Sequence, residues 1–278
     1  MKHIIYTFAS NAFFIMKRIL LIALLSLLAL TGLCQNGGPL RFLGIPIDGS
    51  ESEFAAKLKS KGFTWSSLTE SYKGQFNGKD VDIYLHTNHR LVDRVYVAFP
   101  LTSEENIRAE FNRLIGQFNN NKKYLSLSLD SEIPMDEDIS YEIIVNKKRY
   151  QATFSYFDPD RDEIAFVESL LDKVSGILPA EQISQMREIC RKAKEVPESE
   201  REELVARMMA EMQAGSPASK IDFETDPEKA FLIMSTFMDG MRSLADGEVW
   251  FMIHQYGGGY QIGLYYDNLH NQAHGEDL

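Results

Sequence analysis

Hydrophobic and polar positions along this chain change period several times, and each change predicts an element. Arg41 to Ile45 reads as a first short strand, stopped by Pro46 and a turn at Asp48-Gly49. Ser50 with Glu53 has the spacing of a capping box, Phe54 and Leu58 lie one turn apart on the helix that follows, and Gly62 closes it. Tyr72 to Phe76 and Val81 to Leu85 flank Asn77-Gly78, the pair suited to a two-residue hairpin whose central residues both need φ > 0. In the second of these strands Val81, Ile83 and Leu85 point one way while Asp82 and Tyr84 point the other. Val92 to Phe99 forms a third strand, with Val95, Val97 and Phe99 inward and Pro100 at its end. Thr102 and Glu105 predict a second capping box, ahead of Ile107, Phe111, Leu114 and Phe118 at helical spacing. Beyond Asn119-Asn120-Asn121, Leu125, Leu127 and Leu129 alternate with serines, and Tyr141 to Asn146 with Arg149 to Phe157 reads as another hairpin.

From Asp160 the period becomes helical. Phe166, Leu170, Val174 and Ile177 make one stripe, Ile183, Met186 and Cys190 a second, and Leu204, Met208 and Met212 a third, opened by Pro197. After Gly215-Ser216-Pro217, Phe231 to Leu244 carries apolar residues on several faces and is expected to be the most buried helix. Val249 to Gln255 and Tyr260 to Tyr266 then straddle Gly257-Gly258-Gly259 as a closing hairpin. This order predicts an α+β fold: a largely antiparallel sheet with helices packed on one face, plus a helical insertion before the C-terminal hairpin. We expect one domain over 35–278, with the helical segment at 160–246; two tightly packed lobes are the alternative.

The first 34 residues change that picture. Met16-Lys17-Arg18, an apolar run from Ile19 to Leu30 and Thr31-Gly32-Leu33-Cys34 have the order of an export signal, which makes Met16 the expected start and Gln35 the first mature residue. The run is short for a bilayer span, so no membrane span is expected in the mature chain. The alternative is a lipid-anchored Cys34, disfavoured by the bulky Leu33. The expected location is therefore the periplasm or the extracellular space. The whole chain of 278 residues carries 29 Lys+Arg and 40 Asp+Glu, a net −11. Three cations (Lys2, Lys17, Arg18) and no acid leave with the signal, taking the charge to −14. An acidic surface of this kind repels nucleic acid, whose binding rests on neutralised phosphates. Only Cys190 remains after cleavage, so the mature chain can form no internal disulfide.

Leu40 to Gly49, the helix end Lys61-Gly62-Phe63, and the ending Tyr265-Tyr266-Asp267-Asn268-Leu269 to Gly275-Glu276-Asp277-Leu278 resemble a family of uncharacterised exported proteins of Bacteroides-type bacteria. The resemblance touches both ends of the mature chain. It implies an envelope or surface location and brings no catalytic residue with it.

Reactive constellations are hard to find. Neither Gly-x-Ser-x-Gly nor His-Glu-x-x-His occurs, and Gly257-Gly258-Gly259 has no helix after it to aim at a phosphate. His86 with His89 and His270 with His274 are paired in sequence without a secured geometry, and read as solvated. Asp158 to Glu163 starts like a calcium loop but has Glu163 and Ser169 where Gly and Glu are needed, so its acids read as favouring a helix start. Met208, Met209, Met212, Met234, Met238 and Met241 fall on apolar stripes as gap fillers rather than copper ligands, and Cys190 reads as a buried thiol. No cofactor and no metal site is expected. The aromatic residues remain: Trp250, Tyr256, Tyr260, Tyr265 and Tyr266 cluster on the last hairpin, with Trp65 elsewhere, and offer amphipathic rings for binding. The expectation is a non-catalytic binding module of the cell envelope, its partner an envelope protein or a small ligand such as a glycan. The alternative is a hydrolase using dispersed carboxylates such as Asp82 and Glu142.

Overall fold

The structure, a computed structural model, describes residues 38–121, 123–126, 132–158, 161–176, 180–215 and 227–272. Strands β1 (Arg41–Phe42) and β2 (Ile45–Pro46) pair antiparallel around Leu43-Gly44, whose φ values are 51° and 77°. The single strand expected over 41–45 is thus folded back on itself, because two successive left-handed residues reverse the chain. Helix α1 (Glu51–Ser60) has the full capping box: the Ser50 hydroxyl accepts from the Glu53 amide at 3.3 Å and the Glu53 carboxylate accepts from the Ser50 amide at 3.4 Å. Such a cap stabilises by about 1 kcal/mol. Gly62, at φ 92°, turns the chain out of the helix.

Strands β3 (Thr64–Ser66), β4 (Ser71–Phe76), β5 (Lys79–Asn88) and β6 (Leu91–Ala98) follow. Asn77 and Gly78 sit at φ 52° and 77°, the left-handed geometry that asparagine tolerates and glycine adopts freely, as the β4–β5 turn requires. The β5–β6 turn uses His89 and Arg90 at φ 48° and 70°. Helix α2 (Glu104–Asn119) begins one residue later than expected: Ser103 caps it, because Thr102 is occupied in a two-way backbone bridge to Tyr260 at 2.9 Å. After β7 (Tyr124–Ser126), the stretch expected as a strand at Tyr141 to Asn146 contains instead helix α3 (Ile139–Ile144). Its strand-forming residues are overruled by tertiary anchors: Asp138 accepts from the Tyr141 amide at 2.8 Å and Glu104 from the Ile139 amide at 2.7 Å, with Ile139 fully buried. Leu127 and Leu129 lie outside the described residues.

Strand β8 (Gln151–Tyr156) leads to helices α4 (Glu163–Val174), α5 (Ala180–Lys194), α6 (Glu198–Gly215) and α7 (Pro227–Ser243), and the closing hairpin is β9 (Gly247–Tyr256) with β10 (Gly259–Asn268). The described residues of 38–158 and 245–278 form one compact unit and those of 159–244 a second, which holds the helical segment. In the first, eight strands form one antiparallel sheet in the order β3-β4-β5-β6-β10-β9-β8-β7. The fold class is α+β, as the sequence predicts.

Alternation sends Val81, Ile83, Val95, Val97, Phe154, Val249, Phe251, Ile262 and Leu264 into the same core as Phe54 and Leu58 of α1 and Phe111, Leu114 and Phe118 of α2. Phe63 closes this core by lying over Gly74, where an added Cβ would stand 2.4–2.9 Å from three atoms of its ring. Gly74→Ala is therefore expected to lower the stability of the sheet unit by about 2 kcal/mol, read from a urea melt; a change within 0.5 kcal/mol would show that the Phe63 ring moves freely.

In the second unit α4 buries Phe166, Leu170 and Val174, and α5 buries Ile183, Met186 and Cys190. On α6 it is Val205 that is buried, one position on from the expected Leu204. Helix α7 buries Met241 but exposes Leu232 at 53%, so its apolar residues do not all turn inward; the side chains of Phe231, Ile233 and Phe237 lie outside the described residues. Gly240 lets α7 approach α4 closely, since a Cβ there would stand 3.1 Å from Leu170 Cδ1.

Candidate functional site

The two faces of the sheet carry different chemistry. The face turned away from α1 and α2 holds a row of aromatic residues in exact register: Tyr84 of β5 opposite Tyr96 of β6, Tyr96 opposite Tyr265 of β10, and Tyr265 opposite Trp250 of β9. Ring centroids are 5.4, 4.6 and 3.8 Å apart, with interplanar angles of 22°, 14° and 8°. Directly opposed strand positions bring Cβ atoms within about 5.5 Å, so four planar side chains in one rung stack naturally. All four are half-buried.

One rung along, Arg94 of β6 donates to Asp267 of β10 through Nε at 2.6 Å and Nη2 at 2.9 Å, and Trp250 Nε1 donates to the same carboxylate at 2.9 Å. Asp267 is 2% exposed, so these donors replace its water. The Arg94 guanidinium carbon lies 5.9 Å from the Trp250 ring centre and 5.8 Å from that of Tyr265. Hydrogen bonding to Asp267 raises the Arg94 pKa further and keeps the group charged.

On the other side of the row, His254 lies over Gly263. A Cβ at Gly263 would stand 2.9 Å from His254 Nε2, 3.0 Å from the Tyr96 ring and 3.1 Å from Tyr265 Oη. His254 Nε2 is 3.4 Å from Tyr265 Oη. Burial lowers the His254 pKa and raises those of Tyr96 and Tyr265, so all three are neutral near pH 7. Gly263→Ala is expected to push His254 and Tyr265 off the backbone and to change Trp250 emission through its stacked neighbour; an emission spectrum identical to wild type in a Trp65→Phe background would refute this reading.

Trp250 and Tyr265 thus belong to the row. Tyr256, 49% exposed, ends β9 with its ring 6.1 Å from His254. Tyr260 and Tyr266 are core residues, 6% and 7% exposed, which removes them from an accessible face. Strand parity is the reason: Tyr260 turns inward to Ser140 and Glu104, and Tyr266 to Phe42 and Phe118. Tyr84, Tyr96, Arg94, Asp267 and His254 were not among the expected binding residues. The outward parity of Tyr84 was readable; the register that aligns it with the closing hairpin was not. Trp65 packs on Tyr72 at 4.9 Å, on the sheet's outermost strand.

The remaining candidates have local partners. His86 Nδ1 is 2.7 Å from Asp93, and His270 Nε2 is 3.1 Å from Asp246; His274 lies outside the described residues. Burial pushes the Cys190 thiol up to about 11, which leaves no thiolate at neutral pH. Asp162 caps α4, accepting from the Ile164 and Ala165 amides at 3.0 and 3.1 Å. Asp82 is bound by Lys73 at 2.8 Å and Ser71 at 2.5 Å; burial raises its pKa, but these hydrogen bonds outweigh it and hold the carboxyl below its usual range. Glu142 is held separately by Asn146 at 2.9 Å. A half-open cleft of about 280 Å³, lined by Asp48, Asp158, Asp246, Asn268, His270 and Asn271, has its acids engaged by neighbouring amides and side chains. Among the described residues no group of three His, Cys, Asp or Glu is arranged to hold a metal ion, and no helix is long and apolar enough to cross a membrane. Comparison with known proteins places no relative beside these findings: no protein family, curated protein or solved structure matches the chain.

Proposed function

We propose that this is an exported, non-catalytic protein of the bacterial envelope that binds a protein partner on the sheet face carrying Tyr84, Tyr96, Tyr265 and Trp250. The observation that carries the reading is the row itself, flanked by Arg94 and Tyr256, since Tyr, Trp and Arg are the residue types that dominate binding energy at protein interfaces. The stacking also favours one of the two partner classes. A sugar needs the flat side of a ring, and within this row the stacks at 3.8–5.4 Å cover both sides of Tyr96 and Tyr265 and one side each of Tyr84 and Trp250. What the row offers outward is a rigid line of ring edges, whose order is already fixed before binding, so little side-chain entropy is lost on contact. That suits a protein surface better than a glycan. The resemblance at both chain ends supports an envelope location.

The test is site-directed photocrosslinking in cells, with the crosslinking residue placed in turn at Tyr84, Tyr256 and, as a control on the outermost strand, Trp65. We expect one discrete adduct from positions 84 and 256, absent from position 65, and weakened at least tenfold (about 1.4 kcal/mol) by Tyr96→Ala. Equal labelling from all three positions, or an adduct indifferent to Tyr96→Ala, would place the interface elsewhere.

A further inference from the structure

The row also has the geometry of a pathway for an oxidising equivalent, a property independent of the binding reading. Tyrosine and tryptophan are the side chains most readily oxidised by one electron among those without sulfur, and electron exchange between rings in van der Waals contact is fast. Here four such rings are in sequence, with the tightest stack, 3.8 Å and 8°, between Trp250 and Tyr265. The two residues differ in what they need. An indole can lose an electron and keep its proton for a time. A phenol that loses an electron becomes a strong acid, so its oxidation is favourable only where a base stands ready for the proton.

Tyr265 has that base. His254 Nε2 lies 3.4 Å from its hydroxyl oxygen, and the Tyr96 ring stacks on Tyr265 at 4.6 Å. The imidazole rests over the backbone of Gly263, within a half-buried site, and burial keeps it neutral and able to accept. Groups placed beside it include Tyr265, its register partner Gln261 on β10, Tyr96 on β6 and Tyr256 on its own strand. None of these is a carboxylate that would already hold a proton on it. The Trp250 N–H is donated to Asp267, a carboxylate that also accepts two hydrogen bonds from Arg94, so the indole sits in a different proton environment from the phenol.

We propose that Trp250, Tyr265 and His254 form a relay that carries a one-electron hole from the indole to the phenol and stores it there. A one-electron oxidant, an organic radical or a high-potential metal complex, takes an electron from Trp250 and leaves the indole radical cation. Tyr265 returns one electron to the indole and its phenolic proton moves to His254 Nε2. The products are the reduced oxidant, restored Trp250, a neutral tyrosyl radical and an imidazolium, so charge and protons balance. Tyr96 and Tyr84 continue the stack and share the phenol's environment without a base of their own within the row.

The experiment is flash photolysis of the full chain carrying Trp65→Phe, which leaves Trp250 as the sole tryptophan, with photogenerated tris(bipyridyl)ruthenium(III) as oxidant. The expected course is an indole radical that decays into a tyrosyl signal, slower in D2O. Tyr265→Phe should lengthen the indole radical's life roughly tenfold or more, which is about 1.4 kcal/mol on the barrier. His254→Gln should do the same while leaving all four rings, whereas Tyr96→Phe should leave the conversion in place. An indole radical that decays equally fast in Tyr265→Phe overturns the relay. So does conversion at the wild-type rate in His254→Gln, or the absence of a solvent isotope effect.

Discussion

Phe251→Ala is expected to cost about 3–5 kcal/mol and to leave the sheet unit largely unfolded under mild denaturant. Phe251 is fully buried, and its ring centre lies 5.0 Å from Phe111, 5.9 Å from Phe118 and 6.0 Å from Phe154. It sits on β9, with β8 on one side and β10 on the other, so the vacated space is bounded by paired strands and by α2 and cannot collapse easily. Domain stabilities are commonly 5–15 kcal/mol, and a loss of this size is a large share of that. Because the chain has two units, a whole-chain signal would mix their transitions. Trp250 in a Trp65→Phe background reports the sheet unit alone. A midpoint shift worth less than about 1 kcal/mol would mean that the aromatic cluster packs loosely, while the control Leu68→Ala, at a residue 92% exposed, should stay within about 0.5 kcal/mol.

Asp267→Ala is expected to cost about 3 kcal/mol through a different mechanism. It deletes an acceptor that serves three hydrogen bonds at 2.6–2.9 Å and leaves the Arg94 charge and the Trp250 N–H without their partner. The Arg94 side chain is 37% exposed and can regain some water, which keeps the cost below that of a fully buried pair. Asp267→Asn retains an acceptor while losing the charge, so it should fall between wild type and Asp267→Ala. The double substitution with Arg94→Ala should cost less than the two single changes added together, because each single change strands the other group. Additive costs would show that the pair contributes nothing beyond local packing. Trp250 emission provides the second readout, since only Asp267→Ala removes the hydrogen bond from its indole.

Much of this scaffold was legible in the sequence because local chemistry and tertiary packing agree there. Asn77-Gly78 sets one hairpin turn, Ser50 and Glu53 cap one helix, and alternation in β5, β6, β9 and β10 separates core from surface. Where they disagree, the reading failed. Tyr141 to Asn146 has the composition of a strand, yet amide hydrogen bonds donated to Asp138 and Glu104 bend this stretch into α3, and Tyr141, Ile144 and Val145 are left more than half exposed. The candidate site was half legible for another reason. Parity along one strand tells which residues share a face, but the row depends on which strand lies beside which. The pairing of β6 with β10 joins residues about 170 positions apart, as the Arg94–Asp267 separation of 173 shows. No single-strand pattern encodes that, so Trp250 and Tyr265 were found while Tyr84 and Tyr96 were not.

The point at which 159–244 leaves and rejoins the sheet has a consequence for how such a chain changes over generations. Asp158 donates its amide to the Asp246 carboxylate at 2.6 Å and Asp246 donates its amide to the Tyr156 carbonyl at 3.0 Å, so the seam between β8 and β9 is sealed on the sheet side. With its ends held together, the intervening stretch behaves as a closed loop, and doubling such a loop costs only about 0.6 kcal/mol in closure entropy. Additions, losses or wholesale exchange at that seam are therefore cheap, and descendants of this molecule could differ greatly in size while keeping the same eight strands.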